Sequence, residues 1–376
     1  MKKTVLILAL ITSFNAQAEI ASGDDCGTNC YWSISDDGTL SVFAGEDNEG
    51  KGSIGHYGFN LNDTSTTAPW GIYKENIKNI EIKEGITDLG YDAFVRLSSQ
   101  NPIVLPQSIS TISQNGLYTV RTPEVIIPDT VTSVGFQAFA WSGISQINIP
   151  PSVTEIDQFA FRGAPLKNVV IPDTVESIAD GAFSFPYLLT LVIGENTQVG
   201  TIFNYASEQP DLSKLKMYCG ENNALECTDA LKNVGTNDEN IANILQIYTK
   251  DGNGFYQIDD KLYATADLMT KGAACDNAQN CQDILDAASQ GKPFEVGGKY
   301  YATLDLFANK KSCENQSQCE EMLSASKQNA PFIVGGKFYA SLDDFLTGNY
   351  ERKRIYTVDE ANRVAGEKNR VSITYR

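Results

Sequence analysis

Between residues 80 and 205 the apolar positions follow a pattern that returns at nearly constant spacing. Two aliphatic residues stand two apart, as Val125 and Ile127 or Ile147 and Ile149 do, and a proline follows. Aligned on the slot after each aliphatic triplet, Lys83, Pro106, Pro128, Pro150, Pro172 and Gly194 are separated by 23, 22, 22, 22 and 22 residues. Period two within the triplet predicts a short strand with one face turned inward. Proline then ends the pairing, because it lacks an N–H and fixes φ, and Asp-Thr or Pro-Ser makes the turn. Two more apolar positions follow three and six after the proline: Val131 and Val134, Val153 and Ile156, Val175 and Ile178. Each unit closes on Ala-Phe, at Ala93-Phe94, Ala138-Phe139, Ala160-Phe161 and Ala182-Phe183. A small residue beside a large aromatic lets the back of one coil interdigitate with the next. Units that bury their apolar face only against neighbours predict a solenoid.

Two units depart from the pattern. The second carries Gly116-Leu117 where Ala-Phe belongs, which leaves regular curvature near 113–122 open. The last, LVIGENTQVGTIF, loses register after Gly194 and is expected to act as a cap.

A second period of 38 residues follows over 219–348, marked by Lys261, Lys299 and Lys337 and by the cysteines. Cys281, Ile284, Leu285 and Ala288 fall on one helical face. PFEVGGKYYA and PFIVGGKFYA show β-rich runs around Gly-Gly, a hairpin signal, and Thr303 and Ser341 are candidate N-caps of short helices after it. Cys227 to Leu231 matches Cys281 to Leu285, so 219–260 reads as a longer copy of the same unit. The role of these units stays open between a spacer and a second binding module.

The expected fold is thus a mainly β solenoid of leucine-rich-repeat-like 22-residue units, followed by a small α+β region of disulfide-containing 38-residue repeats. The expected division is 1–18, an export signal; 19–79, a β-rich N-terminal cap; 80–205, the solenoid; 206–349, the α+β repeats; and 350–376, a basic tail.

The units matching xIxIPxxVxxIxxxAF resemble the BspA-like leucine-rich repeats of bacterial and protist surface proteins. The stretches CYWSISDDGTLSVFAGEDNEG and APWGIY, ahead of IKNIEIKEGITDLGYDAF, are similar to the amino-terminal part common in that family. The resemblance covers about 19–205, half the chain. It implies a curved solenoid used for adhesion or other protein–protein contacts, with no catalytic residues to carry over.

MKKTVLILALITSFNAQAEI has a basic start, a short apolar run and Ala16-Gln17-Ala18 as a cleavage site, so cleavage is expected after Ala18. Its loss removes two lysines and takes the formal net charge from −18 to −20. An exported chain this acidic is repelled by nucleic acid and anionic membranes, and no stretch is long and apolar enough to span a bilayer. Eight cysteines in such a chain read as local disulfides: Cys26 with Cys30, Cys219 with Cys227, Cys275 with Cys281, Cys313 with Cys319. No C-x-x-C and a single histidine argue against a metal site. The segment 350–376 reverses the charge, with seven Lys or Arg against four Asp or Glu. It is expected to dock on the acidic body, touch an envelope component, or serve as an export or attachment signal.

Catalytic chemistry is sparse. His56 stands alone in a glycine-rich stretch with no nucleophile beside it, and no hydrolase, zincin or phosphate-loop motif occurs. The pairs Asp24-Asp25, Asp36-Asp37, Asp259-Asp260 and Asp343-Asp344 lie in turn-rich segments and read as solvated surface. KDGNGFYQIDD lacks the calcium-loop register and reads as a turn at Asn253-Gly254. No cofactor and no catalytic residue is therefore assigned. The candidate site is the outward residue of each triplet, Val104, Ile126, Asn148, Val170 and Val192 after Glu81. Stacked strands would set these side by side, either as an exposed partner face or as a second core layer. The expected function is a non-enzymatic binding or adhesion scaffold for a protein or glycan ligand, secreted or on a bacterial surface. A structural envelope component anchored by the basic tail, with the periplasm as the compartment, is the alternative.

Overall fold

In the computed structural model, which describes residues 19–58, 66–184, 187–203, 212–328, 330–335 and 337–349, the apolar triplets form short strands paired in parallel. The segments read as export signal and basic tail lie outside the described residues. Ile103 pairs with Val125 and Val125 with Ile147, while Val169 pairs with Leu191 and Leu191 with Met217. The proline slot works as its chemistry requires. Each carbonyl of Pro106, Pro128, Pro150 and Pro172 accepts the N–H three residues on, closing a turn where the strand stops. Val131, Val153 and Val175 are fully buried just after that turn.

A second parallel ladder runs through the same units, beyond the one strand per unit expected from sequence. Thr111–Ile112, Ser133–Val134, Glu155–Ile156, Ser177–Ile178 and Gln198–Val199 pair in that order. Ile112, Val134, Ile156 and Ile178 point inward, and the residues before them are polar. No sheet closes into a barrel among the described residues.

The backs of the units stack through their aromatic rings. Phe139 and Phe161 lie 5.3 Å apart at 7°, Phe161 and Phe183 5.4 Å apart at 13°. Leu117 occupies the equivalent slot of the second unit, fully buried, and its N–H donates to the Ala138 carbonyl. The backbone ladder therefore runs on through this unit, and a leucine fills a phenylalanine's place. The last unit also keeps its place. Gln198–Val199 pairs with Ser177–Ile178, the Phe183 N–H donates to the Ile202 carbonyl, and Phe203 is fully buried. One residue fewer in its turn and one fewer between Val199 and Ile202 hide the register in the sequence.

The N-terminal segment continues the core. Cys30–Ser35 and Thr39–Ala44 pair antiparallel, and Thr39–Ala44 runs parallel to Asn79–Ile82. Trp70 stacks on Phe94 at 5.6 Å and donates from Nε1 to the Ala93 carbonyl, so APWGIY extends the aromatic column. At the other end Lys216–Gly220 pairs in parallel with Thr190–Val192, and the helices Ala224–Lys232 and Asp238–Ile244 pack Leu231, Ile241 and Ile244 into the same core. Asn223 donates from Nδ2 to the carbonyls of Gly194 and Thr197, satisfying the last turn. The chain divides into two compact units between Tyr248 and Thr249. The segment 219–248, grouped by its cysteines with the 38-residue repeats, packs in the first.

The second unit repeats hairpin, short helix, disulfide and longer helix. Phe294–Val296 pairs with Lys299–Tyr301 across Gly297 and Gly298, both at positive φ, as a two-residue turn of this hand demands. Two small cores form around Cys275–Cys281 and Cys313–Cys319. The helix Leu304–Ala308 serves both: Phe307 and Ala308 enter the first, Leu306 the second. Its N-cap is Thr303, whose hydroxyl accepts the Leu306 N–H at 3.2 Å, and Ser341 caps Leu342–Thr347 in the same way. Thr303→Ala should lower the stability of these repeats by about 1 kcal/mol, read from urea unfolding. A change below a few tenths would show that the cap contributes nothing.

Candidate binding faces

The outward positions of the triplet strands form an exposed aliphatic row over most of its length. Val104 is 55% exposed, Ile126 46% and Val170 39%, with Asn148 exposed between the last two. Val104 and Ile126 are register partners on adjacent strands, about 4.8 Å apart by strand spacing. Val192 is a correction: it is only 1% exposed. Its register partner on the next strand is Tyr218, itself buried, and a tyrosine beside a valine shields what a polar or aliphatic neighbour would leave open. The row therefore comprises Val104, Ile126, Asn148 and Val170. Ahead of it, the Glu81 carboxylate takes the Lys83 ammonium and, at 3.5 Å, the Ser41 hydroxyl. Glu81, Lys83, Glu84, Val104 and Pro106 line a groove at this end.

A different face lies where each unit turns past its Ala-Phe pair. Two backbone positions per unit are left-handed. Asp92, Asn115, Gln137, Phe159 and Gly181 form one series, Arg96, Thr119, Trp141 and Gly163 the other. Asp, Asn and Gly suit this conformation, whereas for a bulky residue it costs roughly 1–2 kcal/mol. Burial raises the Asp92 carboxyl above its usual range, and the hydrogen bond from Asn115 Nδ2 partly offsets it. Phe159 and Trp141 are held there by packing. The Trp141 ring lies over Gly163 and the Phe159 ring over Gly181, so close that a Cβ on either glycine would fall 2.3 or 2.2 Å from a ring carbon. The Arg162 guanidinium sits 5.4 Å from the Trp141 ring centre and 5.5 Å from that of Phe159, a cation–π arrangement. One unit on, Lys167 lies 5.7 Å from the Tyr187 ring. Trp141 remains 42% exposed.

The family model described as "BspA type Leucine rich repeat region" matches residues 72–190 in six copies. This stretch belongs to that family. No curated protein matches the chain. Among solved structures, the chain is similar to a leucine-rich repeat protein from Eubacterium ventriosum, at 16% identity over 64% of this chain and 49% of that one, with a TM-score of 0.33. It is similar to the pneumococcal vaccine antigen PcpA at 15% identity over 66% and 54%, TM-score 0.34. A leucine rich cell surface protein from Faecalibacterium prausnitzii matches at 16% identity over 63% and 60%, TM-score 0.22. The chain thus spans about half the length of the first two.

Within and around the BspA-type repeats, several of the residues weighed for catalysis make local structural contacts. His56 accepts the Tyr91 N–H at Nδ1 and stacks on the Tyr91 ring at 4.1 Å. Asp25 accepts from Trp32 Nε1; Asp37 accepts from Ser35 Oγ and the Thr39 N–H; Asp344 accepts from the capping Ser341. Asp251 accepts the N–H groups of Asn253 and Phe255 in its turn. All eight cysteines are paired as neighbours in four disulfides. No helix of the described residues is long and apolar enough to cross a membrane. The aromatic and arginine face escaped the sequence reading. Its signal was present in the alignment of units, where Trp141 and Phe159 hold slots that neighbouring units give to Thr119, Asn115 and Gln137.

Proposed function

We propose that the BspA-type repeats form a curved solenoid of 22-residue units, carried on an exported, non-enzymatic, cell-surface protein, and that it binds a protein partner through the aliphatic row. The exposure of Val104 and Ile126 on paired parallel strands, and of Val170 at the same outward position of a later triplet strand, carries this reading. Apolar side chains aligned on a rigid face offer area whose burial favours association at little ordering cost. The disulfides suit an oxidising compartment.

The test is a photo-crosslinking residue in place of Val104 on the displayed chain. Discrete adducts with extracellular protein are expected. The double substitution Ile126→Asp and Val170→Asp should cut them tenfold or more while stability changes by about 0.5 kcal/mol or less, since the sites are exposed. Equal adducts from a crosslinker at Glu155, on the polar ladder, would refute the row as the binding face. Protease added to intact cells should digest the chain while a periplasmic marker survives; protection of both would remove the surface assignment.

The shared helix of the second unit favours a second reading, in which the 38-residue repeats act as a spacer of linked cores. Deleting 350–376 should then release the protein from cells, and full retention would count against anchoring by that tail.

A further inference from the structure

Charge is segregated within the repeat region. Between residues 93 and 194 there are four basic residues, Arg96, Arg121, Arg162 and Lys167, and all four lie in the flank that follows an Ala-Phe or Gly-Leu pair. The same span holds seven acidic residues, and of these only Glu124, at the far end of its segment, falls in the flank segments 93–101, 116–124, 138–146, 160–168 or 182–190. Arg96, Arg121 and Arg162 are also the only arginines before the last 27 residues of a chain with net charge −18. Repetition stacks these segments side by side; Ser98 bridges to Arg121, and the Gly143 N–H donates to the Val120 carbonyl. One flank is thus basic and aromatic on an otherwise acidic body.

A shallow groove crosses this flank. Arg121, Pro123, Trp141, Gln100 and Ser142 line it. The Ser142 side chain is 4% exposed and its Oγ has no hydrogen-bond partner among the described residues, although it borders the groove. A buried hydroxyl of this kind is open to a polar ligand atom or to a water that a ligand would displace. Trp141 is fixed in a left-handed backbone position over Gly163, with Arg162 at 5.4 Å from its ring centre. Strain of this sort in an exposed aromatic residue is a feature of ligand-binding surfaces.

We propose that this flank is a second binding site, distinct from the aliphatic row, for a polysaccharide bearing uronic acids, with one uronate seated between Arg121 and Trp141. The chemistry divides cleanly. The planar guanidinium of Arg121 matches a carboxylate. The indole offers a flat face to the apolar face of a pyranose, and Gln100 and Ser142 answer its hydroxyls. An acidic peptide would use the arginines but has no flat apolar face for the indole. A nucleic acid is too densely charged for a body carrying −18, since backbone binding needs many adjacent cations. Sparse carboxylates separated by sugar rings fit sparse arginines separated by aromatic rings.

The test measures binding of the full-length exported chain to polygalacturonate, with neutral dextran, poly-L-glutamate and oligo(dT) as comparators. Polygalacturonate should bind at least tenfold more tightly than each. Arg121→Gln and Trp141→Gly should each weaken it tenfold or more, and Ser142→Ala less. Trp141→Gly relieves a left-handed strain, so its melting temperature should not fall and its lost binding cannot be ascribed to unfolding. Ile126→Asp should leave polygalacturonate binding unchanged, which separates this site from the aliphatic row. Equal binding of poly-L-glutamate or oligo(dT) would replace the proposal with a peptide or nucleic-acid site. Polygalacturonate binding that survives both Arg121→Gln and Trp141→Gly, or no binding at all, would overturn it.

Discussion

Replacing Phe161 with alanine is expected to lower the unfolding free energy of the repeat region by about 3–5 kcal/mol. The ring is 2% exposed and lies between Phe139 and Phe183, each within 5.4 Å centre to centre. Its removal deletes both stacking contacts and opens a cavity between coils. The coils cannot close on that cavity, because their separation is set by hydrogen bonds on either side of it. The Phe161 N–H donates to the Ala182 carbonyl, and the Phe139 N–H to the Ala160 carbonyl. Phe161→Leu should cost far less, since Leu117 fills the same slot two units away with the same backbone pairing. Urea unfolding of the two variants beside the parent makes the comparison. An alanine variant that loses under about 1 kcal/mol would mean that the units do not derive their stability from the aromatic column.

The column illustrates what a sequence shows of such a fold. A proline and an Ala-Phe pair at fixed spacing are read directly, because each marks a covalent or steric event that recurs once per coil. The turn at Pro128 and the burial of Phe139 and Phe161 follow from them. The second ladder was less legible. Its strands are two residues long, and Val131 to Val134 is a spacing of three that carries no strand period. Substitution also hid order that the backbone keeps. Gly116-Leu117 looked like a defect, and the turn before Gln198 looked like lost register, yet both units pair with their neighbours.

The binding faces were legible in part for a different reason. Strand alternation says which way Val104 and Ile126 point, but exposure depends on what else reaches the face. Val192 points outward like the others and is buried beside Tyr218, a residue 26 positions on and outside the stretch that matches the repeat family. The aromatic flank was hidden because its determinant is a backbone dihedral. Nothing in the letters of Trp141 or Phe159 announces a positive φ, which glycine normally signals; only the alignment with Gly163 and Gly181 does.

Opening the single bridge between Cys275 and Cys281, by a double substitution to alanine, is expected to unfold more than its own 38-residue repeat. A short-loop disulfide contributes about 2–3 kcal/mol, and it does so here in a core built from Leu268, Ile284, Phe294, Tyr301 and Phe307 with few other buried side chains. A core of that size has little margin. The helix Leu304–Ala308 is the path by which the loss spreads, since Phe307 belongs to this core and Leu306 to the next. Amide exchange should therefore speed up in Gln316–Lys327 as well as in Ala278–Ser289, although Cys313–Cys319 is intact. The parallel ladder through Val134, Ile156 and Ile178 should keep its protection, because it draws on the continuous core of the first unit. Exchange confined to Ala278–Ser289 would show that the two small cores are independent, and the repeats would then be beads on a chain instead of a linked array. Retained protection in both helices would place their stability in the hairpins and caps, with the disulfides adding little.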